Sequence, residues 1–194
     1  MKNLLLTGFE PFGGEQINPS FEAVKRLPDI IGEFNITKLL LPVVFGEAAE
    51  IVLNKATELK PDAILCIGQA GGRAAITPEL VAINLRYARI PDNKGQKPMD
   101  EPIANDGESA YFSTLPMRKI ADAISSNGLP AQLSYCAGAY VCNDLLYTLL
   151  SRLDKDETKV GFIHIPYCTD QQKEPSMDLD DIQKGLVIAI ENIE

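Results

Sequence analysis

The sequence predicts an α/β protein, a three-layer α/β/α sandwich around a largely parallel or mixed sheet. Two observations carry this. Apolar runs of strand length (Lys2–Leu6, Ile36–Pro42, Ala63–Ile67, Val160–Ile165) alternate with longer stretches of helical periodicity. Glycine- or proline-bearing loops separate the two kinds of segment, which is the punctuation of strand–loop–helix units. No change of composition divides the chain, so residues 1–194 are expected to form one domain, long enough for a substantial core.

Taken in order, Lys2–Leu6 reads as a buried strand that stops at Thr7-Gly8. The following Gly8-Phe9-Glu10-Pro11-Phe12-Gly13-Gly14 is too rich in glycine and proline for a helix. Phe9 and Phe12 in that loop suit either a ligand wall at a strand end or an anchor for the loop. Asn18-Pro19-Ser20 is a helix start, with Phe21, Val24 and Leu27 along one face. Ile36–Pro42 is a strand, Phe45–Leu59 a helix ended by Lys60-Pro61-Asp62, and Ala63–Ile67 a strand leading into the loop Gly68–Arg73. A short apolar segment, Leu80–Leu85, precedes a long polar loop over Arg86–Pro102, of the kind that often carries function. Leu115–Ser126 is a helix closed by Asn127-Gly128. Ala131–Cys136 reads as a strand that turns at Ala137-Gly138-Ala139 into a helix starting near Cys142. Val160–Ile165 is a strand with His164 near its end, and the last helix spans about Asp180–Ile193.

Composition narrows the function. A formal net charge of −9 without a basic stripe argues against nucleic acid as the partner. No apolar run approaches a membrane span or a signal-peptide core, so no membrane association and a cytoplasmic location are expected. The four cysteines (Cys66, Cys136, Cys142, Cys168) are expected as free thiols. They lack a C-x-x-C pair, and the single histidine, His164, makes a zinc site a poor fit.

Of the four, Cys142 alone has a glycine turn before it and a helix after it. At a helix start the unpaired N–H groups and the dipole favour an anion, so the thiol is expected to ionise readily. Cys66 lies in a strand pattern and reads as packing. Cys136 falls at a strand end where a pocket wall is equally possible, and Cys168 is expected to be exposed. A cysteine hydrolase needs one imidazole to take and return protons, and His164 is the one present. A third group must hold its tautomer. Many carboxylates compete for that place, including Glu79 beside Pro78, which also fits a solvated acid at a helix start. Arg89, between Ala88 and Ile90-Pro91, suits either a carboxylate partner or a ligand's developing charge.

Several stretches together resemble the pyroglutamyl-peptidase I family of cysteine peptidases. They are TGFEPFGG with Asn18-Pro19, LPVVFGEA, GQAGGRAAITPELVAIN, ARIPDN, AYFSTLPM, AGAYVCNDLLY, GFIHIPY and PSMDLDDIQKG, in family order over nearly the whole chain. The resemblance implies a Glu79–Cys142–His164 triad, with Arg89 near the oxyanion. It places the pyrrolidone ring in an apolar pocket including Phe9 and Phe12, with polar readout from the Asn18 and Gln69 regions. It further implies N-terminally pyroglutamylated peptides as substrates, no metal or cofactor, and a homotetramer. Departures fall at Leu80, where an arginine is common, at Ala139-Tyr140 and Asp144 around the nucleophile with Cys136 before it, and at Cys168-Thr169-Asp170 after the histidine strand. The residues leave two alternatives open: an amidase for another small cyclic or N-acyl amide, and a non-catalytic binder of blocked peptides.

Overall fold

The computed structural model describes residues 1–194. Its strands are β1 (Lys2–Phe9), β2 (Ile30–Ile31), β3 (Phe34–Leu41), β4 (Ala63–Gln69), β5 (Thr77–Glu79), β6 (Val81–Ile83), β7 (Ala110–Phe112), β8 (Lys159–Ile165), β9 (Tyr167–Cys168) and β10 (Ser176–Met177). Its helices are α1 (Pro19–Arg26), α2 (Glu47–Leu59), α3 (Met117–Ser126), α4 (Val141–Arg152) and α5 (Leu179–Glu191).

Six strands form one sheet in the order β2-β3-β1-β4-β8-β5. The four inner strands are parallel, and the edge strands β2 and β5 run antiparallel to their neighbours. The sheet is therefore mixed, with a parallel centre. Its inner strands are apolar on both faces, as a sheet covered by helices requires. Leu4, Leu6, Leu65, Ile67, Ile163 and Ile165 join one core with residues of α1, α3 and α5. Leu5, Ile64, Cys66, Val160 and Phe162 join a second core with α2 and α4. This two-core arrangement is the expected α/β/α sandwich.

Local chemistry sets the boundaries. Asn18 caps α1, its side chain accepting from the N–H of Ser20, and Pro19 opens the helix where no N–H is needed. Along α5, Ile182, Leu186, Ala189 and Ile190 form a buried stripe at helical spacing.

The structure corrects four local expectations. Thr7-Gly8 is not a turn, because β1 runs on to Phe9. A Cβ at Gly8 would lie 2.7 Å from Cα of Phe21, so the glycine admits α1 against the strand. Ala131–Cys136 is not a strand. It follows β5 through isolated bridges at Ile76–Ala131 and Glu79–Ser134, too sparse for a ladder. The apolar segment after Glu79 splits, since Glu79 ends β5 and only Val81–Ile83 pairs onward, with β7. Cys168 is buried at 1% exposure rather than exposed. The long loop is present, and its root is closed by paired bonds between Arg86 and Glu101.

Candidate active site

The site forms where β4, β8 and β5 meet the start of α4. Residues paired across a sheet present their side chains to the same face. Gly68 on β4 pairs with His164 on β8, and Phe162 on β8 pairs with Glu79 on β5. Gly68, His164, Phe162 and Glu79 therefore share the face covered by α4.

Across that face Glu79 reaches His164 diagonally. Its Oε1 accepts a hydrogen bond from His164 Nδ1 at 2.7 Å. Both groups are buried, Glu79 at 0% and His164 at 4% exposure. Burial alone would raise the Glu79 carboxyl, but the hydrogen bond and charge of His164, with the Arg73 guanidinium, hold it below its ordinary value of 4.5. The ionised carboxylate can only accept, so Nδ1 carries the proton and a neutral ring keeps its lone pair on Nε2. Phe162 packs on the ring, centroids 4.8 Å apart, and fixes its plane. The expected triad carboxylate and imidazole are thus in contact, and the solvated-acid reading of Glu79 does not hold.

Arg73 is the residue the sequence reading passed over. Its Nη1 donates to Glu79 Oε1 and to Thr77 Oγ1, each at 2.6 Å, and its Nη2 donates to the carbonyl of Cys136 at 3.2 Å. One guanidinium thus ties the carboxylate to the loop leading into α4. The available signal was an arginine six positions before Glu79 in a glycine loop, which residue type alone does not separate from a surface charge. Glu79 Oε2 is buried without a partner.

Cys142 is the second residue of α4. Tyr140, at the cap position, gives no side-chain cap bond, and Asp144 has the first intrahelical N–H bond, to the Tyr140 carbonyl. The N–H groups of the opening turn thus point out of the helix end, where an anion would be held. The next two side chains pin this end. Asn143 accepts from the Ile83 N–H and donates to the carbonyls of Ile83 and Leu85, and Asp144 accepts from Arg86 Nε at 2.6 Å and the Gly46 N–H at 2.8 Å. Both are fully buried. Asp144, a departure from the family pattern, is therefore a helix anchor.

The sulfur sits over Gly68. A Cβ there would fall 2.9 Å from Cys142 Sγ and 2.7 Å from Phe162 Cζ, so only glycine leaves the space. Because Gly68 is the register partner of His164, the sulfur and the imidazole occupy neighbouring places on one face. No hydrogen bond joins the two, and catalytic hydrogen bonds commonly tighten only around substrate.

One expectation is reversed. The Cys142 thiol is not acidified by the helix start; it is pushed well up, first by burial and then by the charges of Glu79 and Cys66, against a smaller opposing effect of Arg73. A helix terminus contributes about 0.5–2 kcal/mol toward ionisation, less than burial takes away. Cys66, buried among apolar neighbours, is pushed up to about 12 by burial, as a packing thiol should be.

Beside the sulfur lies a cavity of about 30 Å³ lined by Phe9, Phe12, Asn18, Val43, Gln69, Tyr140, Val141 and Cys142. Phe9, Phe12, Asn18 and Gln69 thus all gather at Cys142. Phe9 packs on Phe162 and Phe12 on Tyr140, which anchors the loop, and both also line the cavity. Asn18 uses its oxygen on Ser20 and one amide proton on the Glu10 carbonyl, which leaves a second proton. Gln69 accepts from Gln171 Nε2 at 2.9 Å, so its own amide group stays free to donate. Gln171 and Tyr140 are further contributors that spacing did not single out.

Arg89 is not in this cavity. It is exposed, forms no hydrogen bond or ion pair, and lines an adjoining cavity that shares Phe12 and Tyr140. Cys136 is exposed, and Leu80 packs half-buried against the α3–α5 core. All four cysteines are free, no cluster of three or more His, Cys, Asp or Glu could hold a metal ion, and no helix is long and apolar enough to cross a membrane.

With this geometry in place, the chain can be compared with known proteins. The family model described as pyroglutamyl peptidase matches residues 2–194. The pyrrolidone-carboxylate peptidase of Lactobacillus johnsonii is 50% identical over 196 residues, covering 98% of this chain and 91% of the relative. The crystal structure of Bacillus amyloliquefaciens pyroglutamyl peptidase I is similar with a TM-score of 0.94 at 46% identity, covering 100% of this chain and 97% of that one. The pyrrolidone carboxyl peptidase of Thermococcus litoralis has a TM-score of 0.94 at 38% identity, with coverage of 100% and 93%.

Proposed function

The chain belongs to the pyroglutamyl peptidase family, and from that premise we propose how its residues carry the reaction. It is a cysteine peptidase that hydrolyses the amide bond after an N-terminal pyroglutamyl residue.

The lactam ring enters between Phe9, Phe12 and Tyr140, whose walls must part because the cavity of about 30 Å³ holds only about one water, with the free amide protons of Asn18 and Gln69 offered to its carbonyl. A free N-terminal amine would have to shed its water in this uncharged cavity, so a blocked ring is favoured. Arg89 meets the substrate from the adjoining cavity.

His164 Nε2 takes the Cys142 proton as Sγ attacks the scissile carbonyl, and the S–C bond forms. Glu79, bonded to Nδ1, stabilises the imidazolium, and Arg73 holds Glu79 in place. The outward N–H groups at the start of α4 support the oxyanion, a donor of this kind being worth about 3–4 kcal/mol. The C–N bond breaks as the imidazolium gives its proton to the leaving amine. Water, deprotonated by the same nitrogen, then cleaves the thioester to release pyroglutamate and regenerate the thiol. No step calls on a metal or a cofactor.

The observation that carries these assignments is the sole histidine bonded to a buried carboxylate on the face where Cys142 Sγ rests over Gly68. Turnover of a pyroglutamyl-coumarin amide by wild type, Cys142→Ala and His164→Ala tests them. Wild type should turn over, and both variants should fall at least about 10³-fold. Near-normal rates in either variant would remove that residue from the role.

We further propose that residues 1–194 act as one catalytic domain, in the cytoplasm, within a homotetramer. The four free thiols and the family resemblance support these readings. Sedimentation velocity and cell fractionation test them; a monomer, or a secreted product, would refute the corresponding part.

A further inference from the structure

Two glutamines stand end to end behind the Cys142 cavity, and one backbone group sets the direction of their bonds. Gln69 ends β4 and lines the cavity, whereas Gln171 lies behind it in the short turn Thr169–Gln171 after β9. The Cys168 N–H donates to Gln171 Oε1 at 3.1 Å, and Gln171 Nε2 donates to Gln69 Oε1 at 2.9 Å. The Cys168 sulfur accepts the Gln171 N–H in return, so the turn grips its own side chain.

A side-chain amide has an oxygen end and a nitrogen end of nearly equal size, and its bonding partners decide which end faces a ligand. Here a backbone N–H decides, because it can only donate. It takes the oxygen of Gln171, which turns that amide's nitrogen toward Gln69. The nitrogen takes the oxygen of Gln69, and the Gln69 nitrogen is left for the cavity. Both ends of this relay are fixed. Cys168 is buried and pairs through β9 with Met177 of β10. Gln69 pairs with Ile165 of β8, whose carbonyl accepts the next N–H, that of Ala70, at 2.8 Å. A Cβ at Gly71 would overlap the Tyr167 side chain, so the loop after β4 lies directly on β9.

We propose that Gln171 is a specificity-determining residue that acts without touching the substrate: it holds Gln69 with its N–H groups toward the cavity, so that the site selects a ring carrying a hydrogen-bond acceptor on its edge. The inference rests on the peptidase reading above and names what gives its cavity a polarity. Asn18 has the same sense, since its oxygen is taken up by Ser20. Both amides therefore donate. A ring of the same shape without the carbonyl leaves them unpaired in a closed site, and that is its penalty.

The test compares kcat/KM for the coumarin amides of pyroglutamate and of cyclopentanecarboxylic acid, a ring of equal size with neither carbonyl nor N–H. The enzymes are wild type, Gln171→Leu, Gln171→Glu, Gln69→Leu and the double variant Gln69→Leu/Gln171→Glu, with matching thermal midpoints excluding misfolding. Wild type should favour the pyroglutamyl amide at least about 100-fold. Gln171→Leu leaves Gln69 unheld and should narrow that ratio about three- to tenfold. Gln171→Glu keeps the shape, but its carboxylate only accepts. It draws the Gln69 nitrogen to itself, turns the Gln69 oxygen to the ring, and should narrow the ratio more than Gln171→Leu does. The added charge acts on both substrates and cancels in the ratio. In the Gln69→Leu background Gln171→Glu should narrow the ratio no further, as for a residue that acts through another. A smaller effect of Gln171→Glu than of Gln171→Leu, or the same narrowing with and without Gln69, would overturn the inference and leave Gln171 a structural residue. No turnover of the pyroglutamyl amide by wild type would instead refute the peptidase reading, and the inference with it.

Discussion

At the scale of single residues, the site is a short chain of hydrogen-bonded groups, Arg73 to Glu79 to His164, beside a thiol whose ionisation burial opposes. Replacing Arg73 with methionine leaves a fully buried carboxylate with one fewer partner. It should cost about 1–3 kcal/mol in denaturant unfolding and lower turnover about tenfold. Unchanged turnover would show that Arg73 serves the fold alone. The thiols give a second expectation. Cys136 is the one exposed sulfur, whereas Cys142 is half-buried and burial opposes its ionisation, so iodoacetamide should label Cys136 first at pH 7. Peptide mapping of a time course checks this, and faster labelling of Cys142 would indicate a preformed thiolate. Cys142 could be singled out by its local pattern and His164 as the sole histidine, but the acidity of a thiol depends on what buries it, which no local motif contains.

At the scale of elements, function depends on two strands and a helix end meeting without a side chain between them. Gly68→Ala places a carbon within 2.9 Å of Sγ and 2.7 Å of a Phe162 ring locked between strands. We expect a loss of at least about 1–3 kcal/mol of stability from overpacking, with turnover falling further than stability because the nucleophile is displaced. Folded protein with normal turnover would show that α4 can shift freely. The anchors of α4 explain why it should not: Asn143 and Asp144 bind two different loops. The main strands and helices were readable because their periodicity is local. The short strands β2, β5, β7, β9 and β10 were not, because two or three residues hold no period and exist only through their partners. For the same reason Glu79 could be singled out only by resemblance, since its burial comes from pairing with β8, far along the chain.

At the scale of the whole molecule, the buried Glu79 carboxylate links the proposed chemistry to acid stability. The carboxyl of Glu79 lies below its ordinary 4.5 when folded, so its contribution is complete above that value and is lost as pH falls through the lower, folded one. The urea midpoint of wild type should therefore drop below about pH 4.5 relative to Glu79→Gln, the difference narrowing with acid. A difference constant from pH 7 to pH 3 would mean that the carboxylate carries no linked protons. The long loop over residues 86–102 has a different consequence. Its root is zipped by Arg86 and Glu101, and Asp92 closes a tight turn by accepting from the N–H groups of Lys94 and Gln96. Tyr87, Arg89 and Ile90, which line the adjoining cavity, ride on this closed excursion, while Cys142 and His164 belong to α4 and the sheet. Selection can thus reshape that cavity by editing a loop, without touching the sheet and helix that hold Cys142 and His164.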